Sequence, residues 1–275
     1  MASLKQKSHE DPRTFLDTAR KYRAVVEHLG AERGTGLSEL ELGRIQATIA
    51  MIPNDVTTIL DVGCGDGRII ERLPKRYKTV GVDYSCNSLR QFVQRRVCAN
   101  SANLPFRDRS FDLVLCCEVL EHLPDELFEA TRCELERISR RYILISVPYK
   151  ENMRLLATKC PRCHHVFHIW GHVRRFLNGD LDSMFVNHEA GATKYFGERR
   201  PYYSRAVLYI NQRLGHRWTE FDKTTMCPNC GNTDFARTPR NLITMVCGAI
   251  NLLTSKLIPV SCRSWVLKLY IRRGK

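Results

Sequence analysis

No stretch of eighteen uninterrupted apolar residues occurs in the 275-residue chain, which excludes a conventional membrane-spanning helix. The first eight residues, Met1 to Ser8, carry Lys5 and Lys7 but no apolar core, so they do not read as a secretory leader. The expected location is cytoplasmic. Acidic residues are comparatively scarce: Lys and Arg number 43 against 29 Asp and Glu, a formal net charge of +14. No carboxylate side chain follows Asp234, whereas eight cations lie between Arg237 and Lys275. Cysteine is not scarce, at 12 residues. In a reducing compartment such cysteines read as metal ligands or small packing residues rather than disulfides. Cys64, Cys116 and Cys117 fall in an expected turn and core strand, and all those outside the metal signal described below are expected to be reduced.

What the chain does have is an apolar run, Thr58-Ile59-Leu60-Asp61-Val62, that empties into Gly63-Cys64-Gly65-Asp66-Gly67. Alternating glycines let a backbone bend sharply and pass close to a ligand where a Cβ would collide. A second apolar run, residues 78–83, ends in Asp83 followed by Tyr84 and Ser85. A carboxylate there can accept hydrogen bonds from both hydroxyls of a ribose, so the expected ligand contains a ribose. A dinucleotide fingerprint would put its third glycine one residue later, where Arg68 stands.

Further along come Asn103-Leu104-Pro105-Phe106, Phe111-Asp112-Leu113-Val114-Leu115-Cys116-Cys117 and Glu118-Val119-Leu120-Glu121-His122-Leu123. With the glycine turn and Asp83, this ordered set over about 57–148 resembles the class I S-adenosylmethionine-dependent methyltransferases, in particular the type 11 group. The resemblance implies that Gly63, Cys64, Gly65 and Gly67 pass beneath the methionine part of the cofactor. It further implies that Asp61 reaches the cofactor's amino group and that Asp83 and Tyr84 hold the ribose. Asn100 stands where the family usually has Asp before the adenine; its carbonyl oxygen can still take the adenine amino group, with Ser101 and Ala102 beside it. Glu118 is implied as a cofactor neighbour. His122 is implied beside the transferred methyl, where an imidazole of reference pKa about 6.5 can take a proton from a hydroxyl. A loop-orienting role is its alternative. His172, in Gly171-His172-Val173-Arg174-Arg175-Phe176, is a second acceptor-pocket candidate with His168 near it, and a structural hydrogen bond is the alternative for each.

The expected fold class is α/β, a Rossmann-like doubly wound sheet with a helical N-terminal arm and a small zinc-binding module. Strands over 57–62, 78–83, 96–100, 112–117 and 142–147 alternate with helices over 66–73, 86–94 and 125–138, the rhythm of a parallel sheet covered on both faces. Residues 1–55 read as the arm, with Leu37, Leu40, Ile45, Ile49 and Ile52 near helical spacing before Pro53, placed to cover the cofactor cleft. Residues 56–236 form the main domain, including the metal module over about 150–236. Residues 237–275 read as a basic, apolar tail.

The metal signal is Cys160-Pro161-Arg162-Cys163 with Cys227-Pro228-Asn229-Cys230. Two such knuckles supply the four thiolates of a closed tetrahedral Zn²⁺ site. The 63 residues between them exceed a compact ribbon, so elements of the main domain are expected inside the interval. Using His168 and His172 with the first knuckle instead would leave Cys227 and Cys230 without a role.

The sulfonium of the implied cofactor carries a good leaving group, so the protein has chiefly to align an acceptor and exclude water. No Asn-Pro-Pro-Tyr or Asp-Pro-Pro-Tyr element follows the fourth strand and no proline precedes Cys117. Amino-methylating nucleic-acid enzymes and cysteine-nucleophile pyrimidine enzymes are thereby disfavoured. In the tail, residues 242–253 and 265–271 are apolar with flanking Lys and Arg, which fits an anionic membrane surface on the inner face of the membrane. The resulting expectation is O-methylation of a small molecule, sugar or lipid-linked glycan. The alternatives are an RNA methyltransferase using the metal module and basic surface, a non-catalytic cofactor-binding scaffold, and a tail that simply packs on the metal module.

Overall fold

The computed structural model describes residues 36–91, 95–199, 202–219, 225–235, 239–258 and 263–274. The first 35 residues, most of the expected arm, lie outside that set. Five apolar runs form parallel strands: β1 Thr58–Val62, β2 Lys78–Asp83, β3 Arg96–Cys98, β4 Phe111–Cys117 and β5 Ser139–Pro148. A short hairpin, β6 Ala157–Lys159 with β7 Val166–His168, stands apart. Two long strands, β8 His188–Arg199 and β9 Arg263–Arg272, then pair antiparallel to complete a sheet of order β3-β2-β1-β4-β5-β9-β8.

Side chains alternate across this sheet as the period of two requires. Leu60, Val62, Val114, Ile143 and Ile145 face one core layer, and Ile59, Leu113, Leu115 and Leu144 the other. Among the described residues the α-helices are, in chain order, α1 Glu39–Ile49, α2 Asp125–Ile138, α3 Asn178–Asp182, α4 Arg205–Arg213 and α5 Leu242–Leu257. The start of α1 is set by a capping box between Ser38 and Glu41. In α2, Leu127, Thr131, Leu135 and Ile138 are buried along one stripe, with Asp125 and Glu126 in the first turn and Arg137 in the last, signs that suit the helix dipole.

Four expectations are corrected. The helix over 66–73 is only a 3-10 turn, Ile70–Arg72. Gly67 has φ of 85°, and Leu73 is extended as a residue before proline must be, so both ends are cut short. The helix over 86–94 is likewise a short 3-10 turn, Ser88–Gln91, within the described residues. Cys86, at its start, is disulfide-bonded to Cys98 of β3 with Cα atoms 5.3 Å apart, so these two cysteines are not reduced packing residues. Finally, the stretch 237–275 is no tail: β9 lies between β5 and β8 with Val266, Leu267, Leu269 and Tyr270 buried. Lys268 is buried and ion-paired with Asp182, and Arg272 donates to the carbonyl oxygens of Glu136 and Ser139. Those two cations serve the fold rather than a surface.

The amino-terminal ends of β1 and β4 are tied by one carboxylate. Asp112 Oδ2 accepts from the backbone N and Oγ1 of Thr57 (3.1 and 2.7 Å) and of Thr58 (3.0 and 2.9 Å), and Oδ1 from Arg140 (2.8 Å). Burial alone would raise its pKa, but the threonine hydrogen bonds hold it well below the ordinary carboxylate range. A depressed acid stabilises the fold above its unfolded pKa and loses that contribution as pH falls. Asp112→Ala is expected to cost about 2–4 kcal/mol, because it strands several part-buried donors, with the difference narrowing in acid. An unchanged urea midpoint at neutral pH would refute this.

Candidate functional site

Because β1 is flanked by β2 on one side and β4 on the other, the strand order reverses there and opens a crevice at the carboxyl ends of the strands. Gly63, Gly65 and Gly67 have φ of 77°, 56° and 85°, a region that only glycine enters without cost. The amides of Gly63 and Cys64 both donate to Val82 O, at 2.7 and 3.0 Å. A Cβ on Gly63 would strike the Val119 side chain, so glycine is required here by the loop after β4, where ligand approach had been the expected reason. Cys64 is buried with Ile70 and Leu89.

Asp83 does more than face the crevice. Its Oδ2 accepts from Gly65 N and its Oδ1 from Ser85 N, both at 2.8 Å, so the carboxylate expected to hold a ribose also locks the glycine bend. Asp61, on the neighbouring strand, is 1% exposed, and its Oδ2 has no hydrogen-bond partner. Burial first, and then the charge of Asp83, raise the Asp61 pKa to about 7. Such a group suits an incoming cation. Tyr84 is half-buried at the end of β2. Asn100 Oδ1 accepts from Ala102 N at 2.9 Å, so one lone pair of the oxygen expected to meet an adenine closes a turn. Ser101 Oγ lies 2.9 Å from Thr131 Oγ1 of α2, and Ala102 packs on the core.

Glu118 has φ of 58°, a strained conformation for a residue with a side chain. Its carboxylate is over-determined: Oε1 accepts from Ser146 Oγ at 2.9 Å, Oε2 from Trp265 Nε1 at 2.7 Å, and Arg44 of α1 pairs with it at 3.4 Å. Trp265 and Arg44 are site residues that sequence reasoning missed. Trp265 stands 147 positions from Glu118, and no local pattern links the two.

His122 and His172, expected as acceptor-side residues, do come together, with perpendicular rings 4.8 Å apart. His172 Nδ1 lies 2.6 Å from Glu151 Oε2, and His168 stacks on His172 at 4.4 Å. Val173 N and Arg174 N donate to Glu121 O at 2.8 and 3.2 Å, which fastens the segment after β7 to the loop after β4.

The four cysteines also converge. Cys160 and Cys163 occupy the turn between β6 and β7, where Cys160 N donates to His165 O (2.9 Å) and His164 N to Cys160 O (3.0 Å). The second knuckle repeats this pattern, with Cys227 N to Asn232 O (2.8 Å) and Gly231 N to Cys227 O (2.9 Å). His164 and Gly231 take equivalent left-handed φ values of 59° and 70°. The Cys160–Cys230 and Cys163–Cys227 sulfurs are 3.6 Å apart, and all four lie within 4.8 Å of one another. A tetrahedron with Zn–S of about 2.3 Å has edges of about 3.8 Å, so the donor set fits. His168 and His172 are not among its members.

Residues 60–141 match the family model described as a methyltransferase domain. The chain is 48% identical over 67 residues to an uncharacterized protein of Methanocaldococcus jannaschii, covering 24% of this chain and 29% of that protein. It is 37% identical over 68 residues to the probable tRNA methyltransferase 9B of Homo sapiens, covering 23% of this chain and 14% of that protein. The chain thus spans less than a third of the length of these relatives. The 1,6-didemethyltoxoflavin-N1-methyltransferase of Burkholderia thailandensis, solved with 1,6-didemethyltoxoflavin and S-adenosylhomocysteine, aligns over 98% of this chain and 93% of its own with a TM-score of 0.53 at 11% identity. That is a likeness of fold.

Proposed function

We propose that the chain transfers a methyl group from S-adenosylmethionine to an oxygen of a small molecule, sugar or lipid-linked glycan at a membrane surface, a reading supported by the match of residues 60–141 to a methyltransferase-domain model. The observation that carries the cofactor half is the pairing of the glycine bend with two buried carboxylates, Asp61 and Asp83, at the switch point of the sheet. Asp61 would receive the cofactor's ammonium group, Asp83 the ribose hydroxyls, and Asn100 to Ala102 the adenine edge. The four cysteines would hold a structural Zn²⁺. S-adenosylmethionine supplies a methyl group on a positively charged sulfur. Methylation of a hydroxyl would require it to lose its proton, and His122 and His172 would be the residues to take it.

Support for the membrane half comes from an inverted helix. α5 buries Thr244, Cys247 and Asn251 while Leu242, Met245, Val246, Leu252, Leu253 and Leu257 are each more than half exposed. A helix in contact with water on its outer side does the opposite. Among the described residues no helix is long and apolar enough to cross a membrane, so α5 would lie in the interface, with exposed Arg240 and Lys256 near its ends. The test incubates the protein with deuteromethyl-labelled cofactor and separated membrane and soluble fractions of a cell extract. Label is expected in a lipid-extractable product, and a Leu252→Asp, Leu253→Asp double variant should lower it several-fold while still binding S-adenosylhomocysteine. Label confined to RNA or to soluble metabolites rejects the membrane acceptor.

A further inference from the structure

A second set of metal-type donors lies apart from the cysteines, where the loop after β4 meets the segment after β7. Glu121 is fully buried at 0% exposure, and neither of its carboxylate oxygens has a hydrogen-bond partner. An ionised carboxylate in that position is costly unless a cation or a proton joins it. Its oxygen and one ring nitrogen each of His122 and His172 lie within 4.8 Å of one another. The opposite side of His172 is already fixed: Nδ1 meets Glu151 Oε2 at 2.6 Å, and Glu151 is itself 1% exposed. With Glu151 ionised and His172 neutral, Nδ1 donates to the carboxylate and Nε2 keeps its lone pair. This is how a metal-binding histidine is oriented by a carboxylate behind it.

We propose that Glu121, His122 and His172 bind a first-row divalent cation beside the methyl-transfer cleft, with Glu151 as the positioning residue for His172. Glu151, His168 and His172 are also close enough to form a group, with Glu151 Oε1 3.9 Å from His168 Nε2, but there the carboxylate is already engaged through Oε2 with His172, whereas neither oxygen of Glu121 is engaged. One carboxylate and two imidazoles suit Zn²⁺, Co²⁺, Fe²⁺ or Mn²⁺ rather than Ca²⁺ or Mg²⁺, which favour oxygen. Three protein ligands leave coordination positions open for an acceptor oxygen. Resting on the methyltransferase reading, this narrows the acceptor to a hydroxyl whose acidity the cation raises. The cysteine site, with its four thiolates, is closed and has no such opening.

Full-length protein titrated with Co²⁺ counts the two sites separately. Thiolate coordination gives an intense near-ultraviolet band, whereas nitrogen and oxygen ligands give only weak visible bands. Equilibrium dialysis should find one equivalent of Co²⁺ bound without the thiolate band. Its affinity should fall about tenfold or more in Glu121→Gln and in His122→Gln, the second serving where the first fails to fold. Calorimetry with S-adenosylhomocysteine on the same samples keeps the two readings apart. Protein that binds S-adenosylhomocysteine but no cobalt outside the cysteines overturns the cation site alone, as does cobalt affinity unchanged in both variants. Cobalt bound at this site by protein that ignores S-adenosylhomocysteine overturns the cofactor reading and leaves the cation site standing.

Discussion

Asp83→Ala is expected to weaken S-adenosylhomocysteine binding by about a hundredfold or more. The carboxylate has two tasks, since it accepts Gly65 N and Ser85 N at 2.8 Å each and is the group proposed for the ribose. Hydrogen bonds to a charged group contribute about 1.5–3 kcal/mol apiece, and the variant loses them on both the protein and the ligand side. Unchanged affinity by calorimetry would reject the ribose assignment. Asp61 adds a pH signature to the same experiment. Its folded pKa is raised from 3.8 to about 7, so its favourable contribution to the ligand-free fold is fully present below 3.8 and is lost as pH rises through 7. An ammonium group placed on it reverses that preference. Affinity should therefore fall close to tenfold per pH unit below about 7, with proton release on binding, and Asp61→Asn should flatten the profile.

The parts of this site that sequence reasoning reached are those whose signal is local. Strands β1, β2 and β4 are short apolar runs, helix 125–138 carries its buried stripe at helical spacing, and the knuckles repeat the same four-residue pattern. The parts it missed depend on distant pairing. Val266 to Tyr270 read as a surface-seeking apolar segment, because a strand buried on both faces and a segment facing lipid have the same composition. Cys86 and Cys98 carried no mark separating a disulfide from two packing thiols. Glu121 was visible as a letter in a motif, but its isolation from hydrogen-bond partners is a property of the packed loop. His122 and His172 were each weighed alone; the Glu121 carbonyl, which accepts from Val173 N and Arg174 N, and the Leu123 carbonyl, which accepts from the Arg174 side chain, help to bring them together.

The largest structural effect is expected from Cys227→Ser or Cys160→Ser. Among the described residues, the local core around the four sulfurs is little more than Phe167 and Phe235, whose rings sit 5.9 Å apart. So small a cluster cannot supply much stability by burial alone, and metal affinity becomes folding energy when the site exists only in the folded state. Each variant should lose about one zinc per chain by elemental analysis and about 10 °C or more in Tm; full zinc content in both would refute the ligand set. The consequence should extend beyond the module. The first knuckle is the turn of the β6–β7 hairpin, and β7 ends at His168, which stacks on His172. Loosening that hairpin should release the histidines of the proposed acceptor cluster, while Asp61, Asp83 and the glycine bend, held by β1 and β2, should keep their geometry. The variants should accordingly bind S-adenosylhomocysteine within a few-fold of the parent protein yet transfer methyl groups poorly. A parallel loss of both would instead mean that the module supports the whole sheet.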